Sequence, residues 1–241
     1  MRTVRLLTIL ASLAVLFSFN SCFLADRIEG NGIMKTETRT IDASFNQISL
    51  SSDFTVYIVK SDENKITVEA ESNLMEYIYT DVRSNDLSLR TPNNTWLDPR
   101  RDIIITIYTD NEINDISISG SGYIEADTID AATLSLNISG SGDMKIPVNV
   151  DRLKANISGS GNINVWGFAP DAEYDISGSG DIKALGVETK TCDAHISGSG
   201  DITVYVTDRL NVHISGSGSV YYEGNPLIDA DISGSGGVHP K

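Results

Sequence analysis

Asp181 and Asp201 each follow an Ile-Ser-Gly-Ser-Gly pentapeptide, 20 residues apart. Carboxylates stacked on neighbouring strands repel unless a cation or a water shell lies between them. Glycine-and-aspartate β-rolls bind calcium in this way. The equivalent positions of the other repeats are Tyr123, Asp143, Asn162, Ser219 and Gly237, so the aspartate is irregular and a solvated corner competes with a calcium site. His195 and His213 share a second column with Asp175 and Asp231. Imidazoles and carboxylates one strand apart could hold zinc, or could simply form the exposed polar row of a stacked array. Cys192 falls in an apolar column with Leu153 and Leu210. A nucleophilic thiol needs exposure and a partner base, so the column favours a small buried hydrophobe.

Aromatic side chains are the other chemistry available. Trp96, Trp166, Phe168, Tyr221 and Tyr222 could stack on sugar rings, or could cover the ends of coils. No GxSxG, HExxH or phosphate-cradling loop is present, and no dense group of carboxylates can be assembled for acid–base work. The expectation is a non-enzymatic protein without a cofactor.

These residues are positioned by a repeat. The pentapeptide starts at 118, 138, 157, 176, 196, 214 and 232, and such spacing is the mark of a stacked array. Two residues before each Ile stand Ile116, Leu136, Ala155, Tyr174, Ala194, Val212 and Ala230, and six after it Ile124, Met144, Ile163, Ile182, Ile202, Val220 and Val238. The column directly before the Ile is polar throughout: Ser117, Asn137, Asn156, Asp175, His195, His213 and Asp231. Alternation with a period of two means strands with one face buried. The glycines either turn a corner, the favoured reading, or continue the strand with their α-carbons facing inward. Stacked coils would place serines in ladders and isoleucines in an internal column. The variable segments 127–133, 147–152, 166–171 and 223–227, which include Pro147, Pro170 and Pro226, are expected to be loops. The fold class is therefore all-β, a β-solenoid of about seven regular coils of 18–20 residues preceded by less regular β coils.

The first 21 residues differ from the rest. Arg2 and Arg5 precede an apolar run of about 14 residues, Leu6–Phe19, shorter than the ~20 needed to cross a bilayer. This is the pattern of an export signal. "FNSC" resembles a bacterial lipobox, which implies acylation of Cys22, a lipid anchor in the membrane and a linker over 22–37; a plain secretory signal is the competing reading. Cys22 and Cys192 are the only cysteines, so an acylated Cys22 leaves no intrachain disulfide. Removing residues 1–21 takes the net charge from −15 to −17. Such a surface repels phosphate backbones, so nucleic acid is not an expected partner.

Residues 32–113 lack the pentapeptide but alternate in the same way, as in "DFTVYIV" (53–59) and "DIIITIY" (102–108). "TPNNTWLDPRR" (91–101) reads as an exposed loop. This half is expected to continue the coils, with a separate β domain as the alternative. The stretch "FNQISLSSDFTVYIVKSDENKITVEAESNLMEYIYTDVRSNDLSL" followed by serial "ISGSGDI" resembles the putative autotransporter adhesin, head GIN domain family. The resemblance spans about residues 38–240, giving a domain over 38–241. It implies a right-handed parallel β-helix-like fold, an outer-membrane lipoprotein setting and an adhesin or scaffold role. It carries over no catalytic residues. A surface glycan or envelope protein is the expected partner, and the open coil end, blunted by Pro240, invites end-to-end association.

Overall fold

A computed structural model describes residues 26–241. Cys22 and the export segment lie outside the described residues. The chain forms β1 (Asp26–Glu29), β2 (Met34–Thr40), β3 (Gln47–Leu50), β4 (Thr55–Lys60), β5 (Lys65–Glu71), β6 (Tyr79–Arg83), β7 (Asp86–Arg90), β8 (Thr95–Asp98) and β9 (Ile104–Thr109), with one 3₁₀ turn at Met75–Tyr77. The repeat follows as β10 (Asp115–Gly120), β11 (Tyr123–Ala126), β12 (Ile129–Gly140), β13 (Asp143–Gly159), β14 (Asn162–Phe168), β15 (Asp171–Gly178), β16 (Asp181–Gly198), β17 (Ile202–Gly216), β18 (Ser219–Gly224), β19 (Leu227–Gly234) and β20 (Gly237–Pro240). It is a β-solenoid.

From β10 onward each coil lies parallel on the previous one, like on like. Ile118 pairs with Ile138, then Ile157, Ile176, Ile196, Ile214 and Ile232. The first six are at most 2% exposed, and burying an isoleucine contributes roughly 1.5–3 kcal/mol. Tyr174 fits the interior because the residues directly below and above it are Ala155 and Ala194. Its hydroxyl is buried without a hydrogen-bond partner.

The corner reading of the glycines holds. Gly120, Gly140, Gly159, Gly178, Gly198, Gly216 and Gly234 all have φ between 138 and 153°, backbone that side chains with a Cβ rarely adopt. The second glycine of each pair faces inward. A Cβ on Gly200 would overlap the carbonyl oxygen of Gly180 and lie 3.0 Å from Ile176 Cγ2. Each corner is then fastened to the coil below. Ser141, Ser160, Ser179, Ser199 and Ser217 donate N–H to Gly120, Gly140, Gly159, Gly178 and Gly198, each at 2.8 Å.

Two expectations need correction. Residues 147–152 are not a loop: Pro147 lies inside β13. It pairs with Trp166 of β14 above, but on its lower side it falls in the gap between the β11–β13 pairing, which ends at Lys145, and the β12–β13 pairing, which begins at Val148, so on that side no ladder needs its missing donor. Likewise β12 and β14 absorb most of 127–133 and 166–168, while Pro170 and Pro226 do sit in short breaks. Second, 91–101 contains β8, which pairs with β1 and buries Leu97. The early strands continue the coils as expected and belong to the same sheet as the regular ones, but they are stacked out of chain order. β3 and β4 lie under β10 and β11, and β7 and β9 lie under β3 and β4. β6 and β5 then cover β7 and β9 antiparallel, and β2 covers β5. This end of the solenoid is closed.

The N-terminal segment is held against that closed end. β1 and part of β2 fall within 22–37, the stretch read as a linker. Glu71 is fully buried; its carboxylate accepts the N–H of Gly32 and, at 2.8 Å, that of Arg100. Asn73 donates to the Glu29 carbonyl at 2.8 Å.

Two substitutions test the packing. Gly200→Ala should cost about 2–3 kcal/mol in urea unfolding through the forced shift of stacked backbone, with the exposed Ser199→Ala within about 0.5 kcal/mol of wild type. Tyr174→Phe should melt at or above the wild-type temperature, because the deleted hydroxyl is desolvated and unpaired.

Candidate functional site

The outward face of the first strand of each coil carries the polar column Ser117, Asn137, Asn156, Asp175, His195, His213 and Asp231. Beside it runs the serine column Ser119 to Ser233, and the two columns line a groove of about 620 Å³ along the axis. Registered stacking makes the groove: every member sits directly over its equivalent in the coil below.

The lower part is an amide ladder. Asn156 Nδ2 donates to Asn137 Oδ1 at 2.9 Å, and Asn137 Nδ2 donates to Asp115 Oδ2 at 3.0 Å. Burial raises the Asp115 carboxyl above the usual carboxylate range, and nearby Asp86 adds to this. Burial likewise raises Asp175, opposed by the His195 imidazole on the next coil. The His195 and His213 rings stack 5.1 Å apart and 10° from parallel, and His213 Nδ1 lies 3.9 Å from Asp231 Oδ2. The groove thus offers hydroxyl, amide, carboxylate and imidazole groups repeated at about 4.8 Å, one strand spacing. That arrangement can hydrogen-bond an extended ligand at several coils together.

The aspartates Asp181 and Asp201 lie in a different column, at the corner. One oxygen of each is engaged there. Asp143 Oδ1 accepts Asn162 N–H at 3.0 Å, Asn162 Oδ1 accepts Asp181 N–H at 3.3 Å, Asp181 Oδ1 accepts Asp201 N–H at 3.1 Å, and Asp201 Oδ1 accepts Ser219 N–H at 2.8 Å. Each side chain receives the backbone of the coil above. The interchange of Asn162 with aspartate was the available signal, since an amide oxygen accepts like a carboxylate but carries no charge. The pairs Asp181/Asp201 and His195/His213 are not brought together, and among the described residues no group of three or more His, Cys, Asp or Glu could hold a metal ion. Cys192 is buried in the interior, and its thiol is pushed well up by that burial.

The aromatic candidates separate into three places. Trp166 and Phe168 share the outer face of β14, 41% and 42% exposed. Trp166 lies over Pro147 and under Gly186, whose missing Cβ leaves room for the Trp166 Cβ. A hollow of about 250 Å³ beside it is lined by Asn164, Lys183, Thr203 and Lys241 among others. Trp96 is 65% exposed on β8, opposite Arg27 at the closed end. Tyr221 tilts against His239 with centroids 5.5 Å apart, while Tyr222 packs on the core.

The family model described as "Putative auto-transporter adhesin, head GIN domain" matches residues 44–226. The chain belongs to that family. Among solved structures, a putative adhesin from Bacteroides fragilis is 23% identical, with a TM-score of 0.81 over 89% of this chain and 100% of its own. A putative lipid binding protein from Parabacteroides distasonis is 26% identical, TM-score 0.75, over 90% and 100%. A putative adhesin from Parabacteroides merdae is 24% identical, TM-score 0.72, over the same shares. No curated protein matches in sequence. The family is described as a putative adhesin, and the solved structures share the fold of this chain.

If the corner ladder is structural, Asp201→Asn should retain wild-type stability, because the amide oxygen still accepts Ser219 N–H, whereas Asp201→Ala should lose about 1 kcal/mol. Equal losses in both, read by thermal melting with and without millimolar calcium, would point to charge instead. The Cys192 thiol should react with a disulfide reagent only after denaturant is added.

Proposed function

We propose that this head GIN protein is a non-enzymatic, lipid-anchored adhesion module of the cell envelope that engages an extended partner along the groove between its polar and serine columns. The observation that carries the reading is the groove itself, whose donors and acceptors recur in register over seven coils. Repetition suits multivalent attachment, because each additional coil that binds does so at high effective concentration. Acid–base or metal chemistry needs unlike groups converging on one point, and rows of like groups at fixed spacing are the opposite arrangement.

The anchor fits the same picture. Only residues 23–25 separate Cys22 from β1, so an acyl-bearing Cys22 reaches at most about 14 Å from the body. Because β1 is fastened to the closed end, the groove and the open end point away from the bilayer. The solved relative described as a lipid binding protein accords with lipid contact, which here would be made by the acyl chains.

A carbohydrate-binding module is the second reading, favoured by the hollow in which Trp166 meets Asn164, Lys183 and Thr203. A glycan array together with binding to intact cells separates the two. The groove reading expects saturable binding abolished by Ser177→Tyr, which fills the groove at an exposed position, and unchanged by Trp166→Ala. The reverse pattern establishes the sugar module, and binding that survives both substitutions overturns each. Metabolic labelling with a fatty acid should mark the wild-type chain and not Cys22→Ala.

A further inference from the structure

The groove differs between its two halves. Coils one to three line it with Ser117, Asn137 and Asn156, which carry no charge, and coils four to seven with Asp175, His195, His213 and Asp231. Among the described residues that line it, none is a lysine or an arginine. Two residues earlier in each strand, on the same outward face, stand Lys154, Glu173, Asp193 and Asp229 on coils three, four, five and seven. Lys154 is already paired with Glu173 at 2.7 Å. Among the described residues, no lysine or arginine pairs with Asp175, Asp193, Asp229 or Asp231. Asp175 is half-buried, and that burial raises its carboxyl, as befits a carboxylate short of water and of counter-charge. A cation supplied from outside would restore what burial removed.

We propose that the partner held in this groove is an extended peptide segment with basic side chains four residues apart, one set over Asp175 and the other over Asp231. Such a ligand presupposes that the groove is the binding site. Asp175 and Asp231 are three coils apart, about 14 Å at one strand spacing per coil. In an extended chain, residues i and i+4 point the same way and lie about 13 Å apart. The flexible lysine stem absorbs the difference. Residue i+2 points the same way and meets the His195–His213 pair, whose rings stack 5.1 Å apart. From Ser117 to Asp231 the groove runs about 29 Å, room for roughly eight or nine extended residues.

The serine column supplies the rest of the recognition. Ser177, Ser197 and Ser215 are exposed along the groove, and a hydroxyl both donates and accepts. They can therefore meet the N–H and C=O groups of a peptide lying beside them without fixing its sequence. The spacing of charge decides against a uniformly cationic polymer. An amino-sugar chain carries a charge on every unit, whereas the groove column has carboxylates only on the first and last of its four upper coils. Most of the cations of such a chain would be left without a carboxylate.

The field of the whole body works in the same direction. The net charge of −17 beyond residue 21 draws a basic segment in from a distance and repels acidic ones. A single exposed ion pair is weak. Two pairs held by one peptide bind together at high effective concentration, so the separation of the two basic residues, and not their number alone, sets the affinity.

Fluorescence anisotropy of labelled nine-residue peptides on the chain from residue 23, which keeps all twenty strands, tests the pairing at pH 7.5. A capped serine–threonine peptide with lysines at its third and seventh positions should bind saturably. Moving the second lysine to the sixth position, on the opposite face, should weaken binding at least fivefold, and glutamates in place of both lysines should abolish it. Asp175→Asn and Asp231→Asn should each weaken the first peptide at least fivefold, and Ser177→Tyr should abolish its binding. Asp208→Asn, an exposed site outside the groove with the same change in net charge, should leave it unchanged. Circular dichroism should match wild type in all four variants, because each site faces outward. Equal binding of the two lysine peptides, equal weakening by Asp208→Asn, or no saturable binding overturns the proposal. Tighter binding of a chitosan hexamer than of the first peptide overturns it in favour of a cationic glycan. The groove reading is judged separately. If Ser177→Tyr abolishes attachment to intact cells while no basic peptide binds, the groove stands and this ligand falls. If attachment survives Ser177→Tyr while peptide binding is lost, the peptide site stands and its adhesive role falls.

Discussion

Backbone lies directly on backbone throughout this molecule, and the rest follows from that contact. A second glycine at each corner allows the carbonyl of one coil to approach the α-carbon of the next more closely than any Cβ permits. The first glycine, at positive φ, turns the chain so that the serine after it can donate to the coil below. Because the corner recurs at nearly constant intervals, every side chain meets its own equivalent one strand spacing away. Isoleucine over isoleucine fills the interior, and asparagine over asparagine forms the outer ladder.

Registered stacking has a cost in chemistry and a benefit in binding. Like groups in rows cannot readily converge as a catalytic triad or a metal cage. They can present the same donor or acceptor repeatedly to a long ligand. The adhesin description of the family fits a surface of this kind better than it would fit a pocket. Where unlike neighbours do meet, as at His195 between Asp175 and His213, they do so because single coils deviate from the repeat.

The two ends show how a solenoid manages its edges. Antiparallel strands with charged side chains close one end, and a buried carboxylate, Glu71, fastens the N-terminal segment to it. The other end keeps both strand edges and the apolar interior open. Charged antiparallel strands at the first and an exposed apolar coil at the second give the body a direction.

The repeat was legible in the letters alone. Period-two alternation and the fixed return of Ile-Ser-Gly-Ser-Gly determined the strands, the inward columns, the corner and the burial of Cys192, because stacking in register is the one way to bury those columns together. Several features depended on contacts that spacing does not encode. The stacking of β7 and β9 under β3 and β4 is a long-range choice made by pairing, not by order in the chain. Pro147 could lie within a strand only because the coil beneath leaves it unpaired. The setting of Asp181 and Asp201 turned on which direction the side chains point at the corner, where one oxygen of each accepts the backbone N–H of the coil above. Local pattern sets which residues are inside; the tertiary structure decides which neighbours each one meets.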